Sequence, residues 1–321
     1  MIPTQDVADS LLSVAQLKLT REAPLSQYTR FGIGGPAKIL ADAADEATFL
    51  QALAVARECG VPLMVIGGGT NLIVSDAGFS GLVLRYTGSR IRRVGDDIEV
   101  EAGAVLQDLV NASIEMGLEG LHTMTGIPGW VGAAVYGNAG AYGHSISEFA
   151  TSVRYHDGRE VRDFDNAGCC FAYRESIFKK HKEWIILSAR LSLPRGDRDL
   201  LRENAARILA IRNAKYPPEM KCAGSIFKNL ILAGLEENVR KQVPASVVRE
   251  GKVPSAWFLE EVGAKGMRRG GIEVAPYHAN LIYNTGQGTA AELRGLISEL
   301  KRRVSERFGL MLEEEVQYVG F

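Results

Sequence analysis

The stretch VIGGGTNLIV, Val65 to Val74, sets three glycines directly after a short apolar run and follows them with a hydroxyl and a carboxamide. Glycine takes up positive φ at no steric cost, so successive backbone N–H groups can turn toward one point and form a concavity for an anion. Thr70 and Asn71 add side-chain donors. Gly67, Gly68, Gly69, Thr70 and Asn71 are therefore candidate contacts to a pyrophosphate; a tight turn out of a strand would use the same residues. Neither common phosphate signature is present, since no G-x-G-x-x-G opens a helix and there is no G-x-x-x-x-G-K-[ST]. FGIGGPA, Phe31 to Ala37, lacks a preceding apolar strand and carries Pro36, which spoils a dinucleotide fingerprint.

A second glycine-rich stretch, TGIPGWVGAAVYGNAGAYG, runs from Thr125 to Gly143. Linkers are polar, and this stretch carries Trp130, Val131, Val135 and Tyr136, so it reads as a long loop of bare backbone against which a flat ring can lie. Gly126, Gly129, Gly132, Asn138 and Gly140 are candidate contacts there. Together the two stretches suit a large phosphorylated cofactor with a planar end.

Around these loops the pattern mixes helices and strands without regular βαβ alternation, which points to an α+β fold. ADEATFLQALAVARECG, residues 44–60, reads as a helix with Asp45 as N-cap, Phe49, Leu50, Leu53 and Val55 as its apolar stripe, and Gly60 as its stop. PLMVIG, GLVLR, DIEVEAG and EWIILSARLSL read as strands, with a helix from Val105 to Met116. SVRYHDGREVRDF reads as a hairpin turning at Asp157 and Gly158. A helix over 202–212 is broken by the proline-rich KYPPEMK. Beyond it lie a helix at 256–262, strands near 271–274 and 280–283, and a long helix from Thr289 to Arg307 opened by a Thr289–Glu292 capping box. EEEVQYVG reads as a closing strand, whose alternation would put Glu313 and Glu315 on one face.

With 321 residues the chain is long enough for two or three domains. Its formal charge of −1 gives no basic face for nucleic acid. The first residues do not read as a signal peptide, and no apolar run approaches the ~20 residues of a membrane span. Cys59, Cys169, Cys170 and Cys222 form no CxxC, and the five histidines are scattered, so no metal site is expected. The simplest reading is a cytoplasmic protein with reduced thiols and no evident protein partner.

KCAGSIFKN, Lys221 to Asn229, places Ser225 after a glycine and before an apolar pair. By itself it allows a nucleophile, a turn residue or an acid. GSIFK is not G-x-S-x-G, and a turn serine is the commonest of the three.

The two glycine stretches, followed in order by FAYRESIFK, GSIFKN, HANLIYNTG and LEEEV, resemble the UDP-N-acetylenolpyruvoylglucosamine reductases, the flavoprotein reductases of peptidoglycan precursor synthesis. The resemblance extends from Tyr28 to Gly320, and the short connection from HANLIYN to the last strand is similar to that of the type II branch. It implies a two-subdomain FAD-binding region of the vanillyl-alcohol-oxidase type, 1–85 and 86–200, then a substrate domain, 201–321. It implies NADPH as electron donor, UDP-N-acetylglucosamine enolpyruvate as substrate and UDP-N-acetylmuramate as product. FAD would be non-covalent, because the matching loops offer no His or Cys for attachment.

The resemblance also carries roles onto single residues. Arg174 in YRES would face the substrate carboxylate, Ser225 would donate the proton next to it, and Glu315 in LEEEV would polarise the enolpyruvyl group. Lys215 and Asn229 would hold the diphosphate, with Arg268 and Arg269 as further candidates. Residues 201–270 hold 13 Lys and Arg against 7 Glu and no Asp, a local positive excess that suits such a substrate. The chain departs from the family pattern at Leu230, where proline is expected, and in the extra stretch that follows it.

Overall fold

The computed structural model describes residues 4–321, with side chains from residue 7 onward. The chain forms two compact units. One holds residues 4–23, 37–68 and 80–218; the other holds 24–36, 69–79 and 219–321. The break at Pro218 falls within KYPPEMK. Contiguous divisions at 85 and 200 were expected, but segments 24–36 and 69–79 belong with the C-terminal part. The reason is long-range pairing: the Leu72–Val74 strand runs parallel to Gln317–Val319, a partnership that local pattern does not reveal.

The first unit has two larger sheets and a two-stranded ribbon, Gly140–Ala141 with His144–Ser145. Four strands follow the order Lys18–Pro24, Pro36–Ala43, Phe79–Tyr86, Leu63–Val65, and five follow the order Val161–Asp165, Ala150–His156, Ile185–Ser192, Asp97–Glu101, Ile91–Val94. The helix Glu46–Glu58 is started by Asp45, whose carboxylate accepts from Thr48 N at 2.9 Å. It buries Phe49, Ala52, Leu53 and Ala56, whereas the stripe read from the sequence contained Leu50 and Val55, which are only partly buried. The buried face is thus set by Phe49, Ala52, Leu53 and Ala56, at i, i+3, i+4 and i+7. The 150–165 hairpin closes through Asp157, which accepts from Arg159 N and Glu160 N at 2.8 and 2.9 Å.

The second glycine stretch is not a continuous loop. Val131–Tyr136 is helical, with Val131 and Val135 buried one turn apart.

In the second unit, Lys221–Ser225, Leu281–Asn284, Ile272–Val274 and Arg268–Arg269 form one antiparallel sheet. The helix Ala290–Phe308 buries Leu293, Leu296, Ile297, Leu300, Val304 and Phe308 in this unit's core. Its capping box is formed, and Asp76 also accepts from Ala290 N and Ala291 N at 2.8 and 2.9 Å. The extra stretch joins this unit's core: Leu230–Ile231 pairs with Lys252–Val253, and Val239, Val253, Phe258 and Leu259 are buried in it. The closing strand is shorter than expected. It begins at Gln317, and Glu313–Glu315 precede it, joined to neighbouring chain by a single bridge from Glu314 to Phe227.

Candidate active site

The glycines of Val65–Val74 are open in one respect that matters. Among the described residues, the backbone N–H groups of Gly67, Gly68 and Gly69 make no hydrogen bond. Three successive unpaired donors are what an anion-binding concavity requires. Gly69 has φ 65, and a Cβ there would lie 1.8 Å from the Tyr28 carbonyl oxygen. A Cβ on Gly68 would lie 3.0 Å from the Trp130 indole, whereas Gly67 has no atom nearer than 3.7 Å. The sequence marked Trp130 only as one of the apolar residues of the second glycine stretch. Arg85 lies over its ring at 5.4 Å and is fixed by a bidentate pair with Asp42 at 2.6 and 2.8 Å.

Asn71 has a different position from Thr70 beside it. Its amide donates to the Glu315 carbonyl at 2.9 Å, and its own carbonyl accepts from Gln317 N at 2.9 Å. It therefore ties the glycine loop to the segment of Glu315.

The second glycine stretch is largely bonded within its own unit. Gly126 N donates to Gln107, and Gly132 N to Ala102 O. A Cβ on Gly132 would meet Ala102 Cβ at 2.8 Å, and one on Gly140 would meet the His144 carbonyl at 2.3 Å. Asn138 is buried, donates to Ala172 O at 2.8 Å and accepts from Ser147 N at 3.2 Å. Gly129 has φ 122 and passes its carbonyl to Leu106 N. At Gly132 and Gly140 close chain packing leaves no room for a Cβ.

Arg174 occupies a tight turn in which Ala172 and Glu175 exchange both backbone hydrogen bonds. Its φ is 57, a region that side chains other than Asn and Asp rarely enter. Nη1 donates to Gly140 O at 3.2 Å. Gln16, Glu22, Asn138, Tyr142, Cys170 and Glu250 share this costly region of backbone space.

Ser225 ends the Lys221–Ser225 strand, half-buried, directly after Gly224 with φ 74. Among the described residues its hydroxyl makes no hydrogen bond. The three residues after it are held by the segment of the glutamates: Glu315 N donates to Ile226 O at 2.7 Å and Lys228 N to Glu313 O at 2.9 Å. The ladder that holds Glu315 thus begins at the residue after Ser225, which itself pairs with Leu281. Lys228 is buried and its ammonium pairs with Glu313. Glu314 pairs with Lys301 at 2.7 Å and with the Tyr318 hydroxyl, so the three glutamates have different surroundings.

Asn229 accepts from Ser255 N at 3.3 Å through its side-chain oxygen. Lys215 is exposed at the end of the Arg198–Lys215 helix, with its ammonium 5.2 Å from the Tyr216 ring. Arg268 and Arg269 are exposed on an edge strand. Among the described residues no cluster of His, Cys, Asp or Glu is arranged for a metal, and no helix is long and apolar enough to cross a membrane.

Residues 216–319 match the profile of the UDP-N-acetylenolpyruvoylglucosamine reductase C-terminal domain, and residues 37–160 match that of an FAD binding domain. A UDP-N-acetylenolpyruvoylglucosamine reductase of Solibacter usitatus is 61% identical over 310 residues, covering 97% of this chain and 99% of the relative. The chain belongs to the UDP-N-acetylenolpyruvoylglucosamine reductases. The same-named protein of Pseudomonas aeruginosa is 37% identical over 93% of this chain and 98% of its own length. The crystal structure of the Thermus caldophilus reductase aligns with a TM-score of 0.72 at 28% identity, over 95% of this chain and 99% of that one.

As a reductase of this family the protein is an FAD-dependent oxidoreductase of peptidoglycan synthesis, with the α+β architecture expected from its sequence. The open N–H groups of Gly67 to Gly69 fit the pyrophosphate of FAD. One residue that the sequence reading passed over is Asn280 in HANLIYN, which is buried and bonded to Phe227 in both directions. An amide inside an otherwise apolar run was the signal, because a buried carboxamide must find partners. His278 beside it lies in a turn, with its N–H on Ala275 O.

Proposed function

We propose that the protein transfers electrons from NADPH to UDP-N-acetylglucosamine enolpyruvate, giving UDP-N-acetylmuramate, with Ser225 as proton donor. FAD, when bound without a covalent link, supplies the hydride to the enolpyruvyl double bond. The N–H groups of Gly67, Gly68 and Gly69 hold its pyrophosphate, with Thr70 beside them. Gly126, Gly129, Gly132, Asn138 and Gly140 shape the second cofactor wall.

Addition of hydride leaves negative charge on the neighbouring carbon and its carboxylate. The Arg174 guanidinium, planar and always charged, pairs with that carboxylate. Ser225 delivers the proton to the carbon, and Glu315 polarises the enolpyruvyl group. Lys215 and Asn229 take the diphosphate. Hydride plus proton reduce the double bond, and NADP⁺ is the oxidised product. The reaction belongs in the cytoplasm, where NADPH is available.

The observation that carries this reading is the half-buried Ser225 hydroxyl, unbonded among the described residues and one residue before the ladder that holds Glu315. The test is spectral and anaerobic. NADPH should bleach the flavin, and the enolpyruvyl sugar should then restore its colour with formation of the lactyl ether. Recolouring by oxygen alone, with no response to the sugar, would mean an oxidase.

A further inference from the structure

The segment that follows Ser225 is held on its other side by one buried side chain. Asn280 is 2% exposed and Phe227 is 1% exposed. The Asn280 Oδ1 accepts from Phe227 N at 2.9 Å, its Nδ2 donates to Phe227 O at 2.8 Å, and its backbone carbonyl accepts from Ile226 N at 3.1 Å. A side chain thus replaces the neighbouring strand at the point where pairing with Leu281–Asn284 has ended.

That replacement has a clear use. The register between the two strands slips by one residue between Cys222 and Ser225, where Gly224 has φ 74. Such a bulge re-aims the side chain beside it. A glycine at a bulge also gives the chain freedom, and the residues beyond must remove it. A carboxamide presents one donor and one acceptor along a single edge, which matches the N–H and C=O of one residue. Aspartate lacks the donor, and alanine leaves both buried groups of Phe227 unpaired.

We infer that Asn280 is a positioning residue that fixes the Ser225 hydroxyl for proton delivery, an inference that rests on reading Ser225 as the proton donor. It acts on the proton step alone. Asn280 and Ser225 both lie in the second unit, and the ladder of Ile226, Phe227 and Lys228 connects them.

The test uses the flavin-loaded protein in rapid mixing, with Asn280→Ala, Asn280→Asp and Ser225→Ala side by side. Asn280→Asp preserves size and guards against failure of the alanine variant to fold. The expected result is normal flavin reduction by NADPH, reoxidation by the enolpyruvyl sugar slowed by about 10²-fold as for a displaced catalytic group, and a larger solvent deuterium isotope effect on that step. Equal slowing of both half-reactions together with a lower melting temperature would show a structural role only and overturn the inference. An unchanged Asn280→Asp beside a slow Ser225→Ala would overturn it alone. Full-rate reoxidation by Ser225→Ala would remove the serine reading, and this inference with it.

Discussion

The backbone N–H of Glu315 donates to the carbonyl of Ile226 at 2.7 Å, one residue beyond Ser225. The Glu315 backbone is held a second time by the Asn71 amide on its carbonyl. Glu315→Gln should keep the fold, with a stability change within about 0.5 kcal/mol. Turnover should fall by ~10²-fold or more if the carboxylate acts in the reaction. Urea unfolding and steady-state assay on the same preparation check both halves; full activity would remove Glu315 from the chemistry.

Ser225→Ala removes a hydroxyl that is unbonded among the described residues, so no folding penalty is expected. Flavin reduction by NADPH should be unaffected while turnover drops by ~10²-fold or more, as for loss of a general acid. An alanine variant with normal turnover would leave Ser225 as a turn residue.

The glycine loop separates strain from ligand contact. At Gly69 a Cβ meets the Tyr28 carbonyl and φ is positive, so Gly69→Ala should destabilise by more than the ~1–2 kcal/mol of left-handed backbone alone. A Cβ on Gly67 would meet Ala133 and Trp130 at 3.7 Å, an ordinary contact without strain. Gly67→Ala should unfold at the same urea concentration as the parent yet bind FAD more weakly, measured by flavin fluorescence. Equal FAD affinity would place the pyrophosphate elsewhere.

Asp76 joins a segment from the N-terminal half of the chain to the start of the Ala290–Phe308 helix, accepting from two of its first N–H groups. Loss of a cap of this kind costs about 0.5–2 kcal/mol. Asp76→Ala should lower the urea midpoint accordingly, and Asp76→Asn should lower it less, because one acceptor remains. An unchanged midpoint in Asp76→Ala would contradict the capping role.

His156 is buried in the hairpin strand and accepts from Gly158 N at 3.0 Å through Nδ1. Burial, with Arg57 second, lowers its pKa below the usual 6.5. A group with a lowered folded pKa gives its full stabilisation above the unfolded value and loses it as pH falls through that range. Stability should therefore decline below about pH 6.5, and His156→Gln should flatten that part of the profile. A parent profile equally steep in the variant would assign the decline to other groups.

Much of the fold was legible in the chain because it rests on short-range physics. Asp45, Thr289 and Glu292 cap the helices they were expected to cap, since a cap needs only three or four residues. The 150–165 hairpin follows from alternation and a turn. The glutamates of LEEEV were read as a strand by composition, yet regular pairing starts only at Gln317. The second glycine stretch was read as bare loop, yet Val131 and Val135 make a helix turn whose one glycine, Gly132, fits against Ala102. Local composition does not specify what packs against it.

By itself the sequence determined which residue types are present in which order, and hence the longer helices with their caps, the glycine positions and the family. Only tertiary structure decided that segments 24–36 and 69–79 belong with the C-terminal unit, that Asn71 reaches Glu315, and that Asn280 grips Phe227. Each joins residues far apart in the chain. The pairing partner of a buried amide or a lone strand is chosen by the folded chain as a whole, because an unpaired polar group in the interior costs more than any local preference can return.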